Sequence, residues 1–272
     1  MNKVIGFFLG ISLLLVTGTL VMGQDASVGS SASASSSAVT VVSTGKGMTA
    51  LEEAAKNGKY LFVFFQDGAA SNSSELTKFE ELISREAASS SRVVIDRKDS
   101  AEQAIVNKFQ VQRAPMPLVL VVAPNGAITS GFPAQKLSET SIRDAFVSQG
   151  MQKSLGLLQQ EKLVILALQN ASTTSNEAAM KGAMDFCADP LLGTNAVLVT
   201  LDTSDPAEAM FLEKMRLSST ATEAQTILLA PPAVIVGQFS GAVTKDAIAA
   251  ALLKASSGGG CGSGGCSSGC GS

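Results

Sequence analysis

The chain has 272 residues, 46% of them hydrophobic and 16% charged. That is length enough for two ordinary domains and apolar content enough for a buried core, so a wholly disordered protein is excluded. A net charge of −3 without a basic cluster gives no reason to expect a nucleic-acid partner, and the absence of histidine removes Ser-His-Asp and Cys-His catalysis and His-ligated metals.

Lys3 precedes an apolar run over residues 4–22, broken only by small or hydroxyl residues. Val21 and Gly23 fit the −3 and −1 positions of a cleavage point before Gln24. Residues 1–23 therefore read as a secretory signal peptide, and the chain as periplasmic or secreted. The competing reading is an uncleaved membrane anchor, the one route by which a membrane would be a partner. Residues 24–38 are rich in Ser and Ala and bury too little to offset their ordering entropy, so a flexible spacer is expected.

Residues 39–42 suit a short edge strand and 48–57 an amphipathic helix. Residues 60–65 (YLFVFF) form an unbroken run rich in Phe and Val, the pattern of a strand buried on both faces. Gln66, Asp67 and Gly68 end it, and Asn72 with Glu75 makes a capping-box start for a helix over 73–86. Leu76, Phe79, Leu82 and Ile83 give that helix its apolar stripe. A strand over 92–96, a helix over 101–109, a hairpin over 118–131 turning at Pro124-Asn125-Gly126, and a helix over 138–149 follow.

The order βαβαββα over residues 39–150, with a short loop between the buried strand and its helix, resembles the thioredoxin family. In that family the loop carries Cys-x-x-Cys, and the matching positions here are Ala69, Ala70, Ser71 and Asn72. An acidic residue buried in the family's first core strand is matched by Val63, and its cis-proline by Pro117, preceded by Met116. Thiol–disulfide exchange needs an attacking thiolate and a resolving thiol, and these positions supply neither. Ser71 has no base to activate it and suits a helix cap better. The resemblance implies that the backbone at Met116 can pair with an extended peptide; the plainer reading is that Pro117 only preserves the turn into the strand.

A helix expected over 151–160, within a linker of 151–162, leads to a second and weaker repeat over 163–256. Strands are expected over 163–168, 197–202, 226–230 and 234–237, with Pro231-Pro232 in the last turn. A capping box from Thr174 to Glu177 should open a helix over 176–187 with Ala179, Met180, Ala183 and Met184 inside. The remaining helices fall at 206–215 and 245–254, and the cis-proline position lands near Ala224-Gln225, where there is no proline. The fold class is therefore α/β: two tandem thioredoxin-like domains, each a mixed central sheet flanked by helices. The chain is similar to the non-catalytic domains of protein disulfide isomerases.

Cys187 reads as a small buried hydrophobe. Cys261, Cys266 and Cys270 lie in a Gly/Ser tail over 257–272, where three uses compete: disulfide or tether, soft-metal binding, and redox transfer. No cofactor is expected beyond copper or zinc at that tail. The partners expected are a protein or peptide client and a disulfide-linked oligomer. The function that follows is a redox-inactive binding or scaffold module, with a thiol redox carrier or a soft-metal carrier as alternatives.

Overall fold

The computed structural model describes residues 45–68, 73–218 and 220–257. The signal peptide, the spacer, the strand expected over 39–42, the loop positions Ala69, Ala70, Ser71 and Asn72, and the cysteines Cys261, Cys266 and Cys270 lie outside the described residues. Among the described residues no helix is long and apolar enough to cross a membrane.

The aromatic run becomes β1 (Tyr60–Gln66), and all seven of its residues are buried. Its sheet has the order β2-β1-β3-β4, where β2 is Ser90–Asp96, β3 Leu118–Val122 and β4 Ile128–Pro133. β1 runs parallel to β2 and antiparallel to β3, and β3 is antiparallel to β4. Because successive side chains on a strand point to opposite faces, Leu61, Val63 and Phe65 enter one core and Tyr60, Phe62 and Phe64 the other. Helices α1 (Lys46–Lys56) and α3 (Gln103–Lys108) supply the first core; α2 (Ser73–Ser84) and α4 (Glu139–Arg143) supply the second. Phe62, Phe64 and Phe65 are fully shielded, each contributing about 1.5–3 kcal/mol by transfer from water.

The second half repeats this plan. Its sheet is ordered β6-β5-β7-β8, with β5 at Leu163–Gln169, β6 at Ala196–Asp202, β7 at Gln225–Ala230 and β8 at Val234–Ser240. The strand directions match those of the first sheet. Helices α5 (Gln149–Leu158) and α7 (Ala209–Lys214) pack on one face, α6 (Asn176–Cys187) and α8 (Lys245–Ser257) on the other. Each half is thus a thioredoxin-like domain.

The helix expected over 138–149 is split. Ser138 and Ser141 cap each other to start the five-residue α4. A new helix then begins at Gln149, because the Ser148 hydroxyl caps the Met151 N–H. That new helix, α5, is the one expected as a link over 151–160. It packs on β5 and β6 as α1 packs on β1 and β2.

A buried glutamate fixes each of these two helices. Glu102 accepts from the backbone N–H groups of Lys46 and Gly47 at 3.0 and 2.9 Å. Glu208 accepts from Gly150 N–H at 2.9 Å and from the Ser148 hydroxyl at 2.5 Å. A carboxylate against the free N–H groups of a helix start satisfies donors that have no partner within the helix. The approach leaves no room for a side chain: a Cβ on Gly150 would lie 2.2 Å from Leu201 Cδ2 and 2.8 Å from Glu208 Oε2.

Met184 does not face inward as expected; it is 56% exposed. Helix α6 meets the start of α8 at Gly182, where a Cβ would be 1.9 Å from the Val243 carbonyl oxygen. That contact turns Ala179, Gly182, Ala183 and Phe186 inward, and Met184, two residues round from Gly182, turns outward.

Candidate functional site

In the first half the ends of three strands converge on the loop after β1. Asp67 follows β1 by one residue, Arg97 follows β2 by one, and Pro117 immediately precedes β3. The parallel register sets Gln66 beside Asp96, so the next residue of each strand meets its counterpart. Arg97 Nε donates to Asp67 Oδ1 at 2.9 Å and Nη2 to Oδ2 at 2.5 Å. Its Nη1 donates to the Val111 and Ala114 carbonyls at 3.2 and 2.7 Å. One guanidinium thereby joins the mouth of β1 to the segment that leads into Met116. The sequence reading missed this clamp, although two charges each one residue beyond paired parallel strands were its signal.

The Met116–Pro117 peptide bond is cis. Pro117 is buried and Met116 half-buried against the first core. Among the described residues no hydrogen bond reaches the Met116 backbone, while the Pro117 carbonyl accepts from Ala134 N–H at 2.9 Å. Val63 is fully buried between Val93 and Leu120 on the neighbouring strands, so no proton-handling group stands there.

The register defines the same place in the second half. Leu118 lies opposite Phe65 and Gln225 opposite Leu168, so Ala224 is the counterpart of Pro117 and Glu223 of Met116. The clamp is kept in neutral form: Asn170 Nδ2 donates to Thr203 Oγ1 at 2.6 Å, at the positions of Asp67 and Arg97. The edge itself is filled. Thr174 N–H donates to the Thr222 carbonyl and Ala224 N–H donates to the Thr174 carbonyl, both at 2.9 Å, a parallel bridge between Thr174 and Glu223. Pro117 has no N–H with which to make the second of these bonds.

The capping box expected from Thr174 to Glu177 is not formed. Thr174 is engaged in the bridge, and Ser175, in the left-handed region at φ 65°, is the N-cap without a side-chain bond. Asn176 instead turns back to the loop, donating to the Asn170 carbonyl at 2.9 Å and accepting from the Thr173 hydroxyl at 2.6 Å.

Gln66 and Gln169 end the central strands at equivalent positions, and among the described residues the Oε1 of each is buried without a donor. The pair makes this a property of the repeat. Cys187, at the end of α6, is half-buried beside the α6–α8 core, and burial pushes its thiol above the ordinary value. Among the described residues no three His, Cys, Asp or Glu side chains gather to hold a metal. A shallow cleft of about 280 Å³ lies between the C-terminal end of α2 and α4, lined by Leu82, Arg85, Ile142 and Phe146. Arg85 in its wall is tied to Glu81 and Glu139 at 2.8 and 2.7 Å.

No family model matches the chain, and no curated protein does. Solved structures do. A disulphide isomerase from Xylella fastidiosa Temecula1 is 20% identical with a TM-score of 0.28, over 36% of this chain and 83% of that one. The first two thioredoxin domains of Saccharomyces cerevisiae Eps1p are 8% identical with a TM-score of 0.27, over 75% and 94%. The zinc-bound form of human ERp44 is 10% identical with a TM-score of 0.31, over 75% of this chain and 56% of that one.

Proposed function

We propose that this chain is an exported, redox-inactive tandem of thioredoxin-like domains that binds extended protein segments at the Met116–Pro117 edge of its first half, with the cysteine-bearing tail serving attachment. The observation that carries this reading is that the equivalent edge of the second half pairs with an extended segment. In the second half a strand partner already lies at the equivalent place, supplied by Thr174 of the same chain. A strand therefore fits that position, and in the first half Pro117 has no N–H with which to close the bond that Ala224 makes there. Main-chain pairing gives such binding its affinity, and the half-buried Met116 side chain gives the adjoining apolar contact. The sequence has no cysteine before Cys187, so the loop after β1 brings no thiol of its own to a bound client.

The test is binding of reduced, carboxymethylated α-lactalbumin, an unfolded client without reactive thiols, followed by fluorescence anisotropy. Met116→Pro removes the backbone N–H at the docking position and should weaken binding by about tenfold, or 1.4 kcal/mol. Unchanged affinity in a folded Met116→Pro protein rejects the site. Insulin reduction with dithiothreitol that disappears only when Cys261, Cys266 and Cys270 are all replaced by Ser would favour the redox-carrier reading instead.

A further inference from the structure

The outer strands of the two sheets end in different surroundings. In the first half α5 crosses the β4 edge, and the Gln159 side chain takes both backbone groups of Ile128. Its Nε2 donates to the Ile128 carbonyl at 2.7 Å and its Oε1 accepts the Ile128 N–H at 2.9 Å. Ile235 holds the same place on β8: Ile128 lies opposite Val122 and Ile235 opposite Leu229, each directly after a register shift. Among the described residues no side chain caps Ile235, and the helix that follows, α8, packs on the face of the sheet, with Ile248 against Ile165 and Leu228.

The uncapped strand is also apolar and exposed. Val234 is 53% and Ile235 42% accessible, and no residue of β8 is charged or proline. Edge strands are ordinarily protected by charges, prolines or a covering element, because their free backbone groups accept another strand. The neighbouring helix repeats the pattern. From Ala247 to Leu253 α8 has no polar residue, yet only Ile248 of the helix is fully buried, and Leu253 is 55% exposed. A helix apolar on all sides is one that is covered on all sides.

We infer that the β8–α8 face is the docking surface for a second copy of this chain, with β8 pairing antiparallel to the partner's β8 about a two-fold axis. An uncharged strand is complementary to itself, since no like charges meet in any antiparallel register. A two-fold contact also closes, since each copy's β8 is used up by the other's. The sequence beyond α8 favours a second copy over a foreign strand. Cys261 comes four residues after Ser257, with Cys266 and Cys270 close behind. Four residues reach about 14 Å at full extension, so docking through α8 brings the thiols of both tails within reach of one another. With a disulfide oxidant such as oxidised glutathione, one thiol from each copy gives up its proton and one electron. The two sulfurs bond, and the oxidant is reduced to two thiols. The surface is independent of segment binding at Met116.

Sedimentation velocity on the full chain, kept reduced with dithiothreitol, should show a reversible dimer over the micromolar range. Val234→Lys and Leu253→Glu, both at exposed positions, should each weaken dimerisation by about tenfold or more while leaving the circular dichroism unchanged. Hydrogen exchange on the unsubstituted chain serves as a check that needs no variant: β8 amides should slow as concentration rises. With oxidised glutathione, cross-linking through the tail should be faster in the unsubstituted chain than in Val234→Lys. A monomer throughout the range, β8 exchange independent of concentration, or dimerisation and cross-linking indifferent to both substitutions overturns the inference.

Discussion

Arg97 grips Asp67 with two parallel donors while its third nitrogen holds the carbonyls of Val111 and Ala114. The pair is largely shielded, with side-chain exposures of 18% and 29%, so truncating the arginine strands a carboxylate and two carbonyls together. Breaking a fully buried pair costs about 3–5 kcal/mol; with the remaining exposure, Arg97→Ala should cost about 2 kcal/mol in urea unfolding. Arg97→Lys should recover little, because one ammonium cannot serve the fork and both carbonyls at once. Since the clamp positions the segment entering Met116, client binding should weaken in step with stability. Full stability in Arg97→Lys would show that the fork geometry is unimportant.

The glycines beneath the two buried glutamates make a graded prediction. A Cβ on Gly150 meets Leu201 Cδ2 at 2.2 Å, whereas one on Gly47 meets nothing closer than 2.8 Å. Overpacking costs about 1–3 kcal/mol, so Gly150→Ala should fall at the top of that range and Gly47→Ala nearer the bottom. Glu208→Ala should cost about 2 kcal/mol by leaving the Gly150 N–H and the Ser148 hydroxyl without their charged acceptor. Chemical denaturation of the three variants checks the order, and equal losses at the two glycines would contradict it.

These relationships divide into those legible from the sequence and those that are not. Residues 60–65 could hardly be anything but a two-sided buried strand, and a second apolar strand ending in Gln169-Asn170 repeats Gln66-Asp67. Local pattern therefore sufficed for the repeat and for both sheets. Local pattern misread Thr174, whose cap signal is real but loses to a bridge with Thr222 and Ala224, about fifty residues downstream. It also misread Met184, because the orientation of α6 is set by the close contact of Gly182 with Val243. Glu102 and Glu208 look like surface carboxylates of short helices until the helix starts they hold are brought over them.

Tyr60 is the one tyrosine in the chain, so tyrosinate absorbance reports on it alone. Its hydroxyl donates to the Val147 carbonyl at 2.8 Å and accepts from Val147 N–H at 3.0 Å and Gln152 Nε2 at 2.9 Å, tying β1 to the segment that opens α5. Burial pushes it above the ordinary value of 10.0, outweighing the bonds to Val147 and Gln152 that favour the charged form. The folded value lies above the unfolded one, so the stabilisation is complete below pH 10 and is lost as pH rises through the folded value. Native protein should therefore titrate later than protein in urea, and Tyr60→Phe should remove this part of the alkaline loss of stability at a cost of about 1 kcal/mol near neutrality. Titration at the ordinary value in the native state would contradict the burial.

Cys187 offers a parallel test in the described part of the chain. Burial raises its thiol, leaving less thiolate near neutral pH than a free cysteine has. With the tail cysteines replaced by Ser, iodoacetamide should modify native Cys187 more slowly than glutathione, and urea should abolish the difference. Fast modification in the native state would mean the thiol is activated, and would reopen a redox role for the second half.

The edge of the second half should be releasable. Ala224→Pro removes the N–H that holds the Thr174 carbonyl, the same donor that Pro117 lacks, while the Ala224 carbonyl keeps its bond from Gly241 N–H at 2.8 Å. Loss of one such bond costs about 1 kcal/mol, which the remaining β5–β7 ladder should tolerate. Hydrogen exchange should then quicken at Thr174, and the second half should gain a free edge before β7. If occupancy by Thr174 is what keeps the second half from binding, calorimetry on the Ala224→Pro chain should show more than one client segment per chain, with the first site unchanged. A freed Thr174 with the stoichiometry still at one would mean that the groups around Met116, and not the open edge alone, select the client.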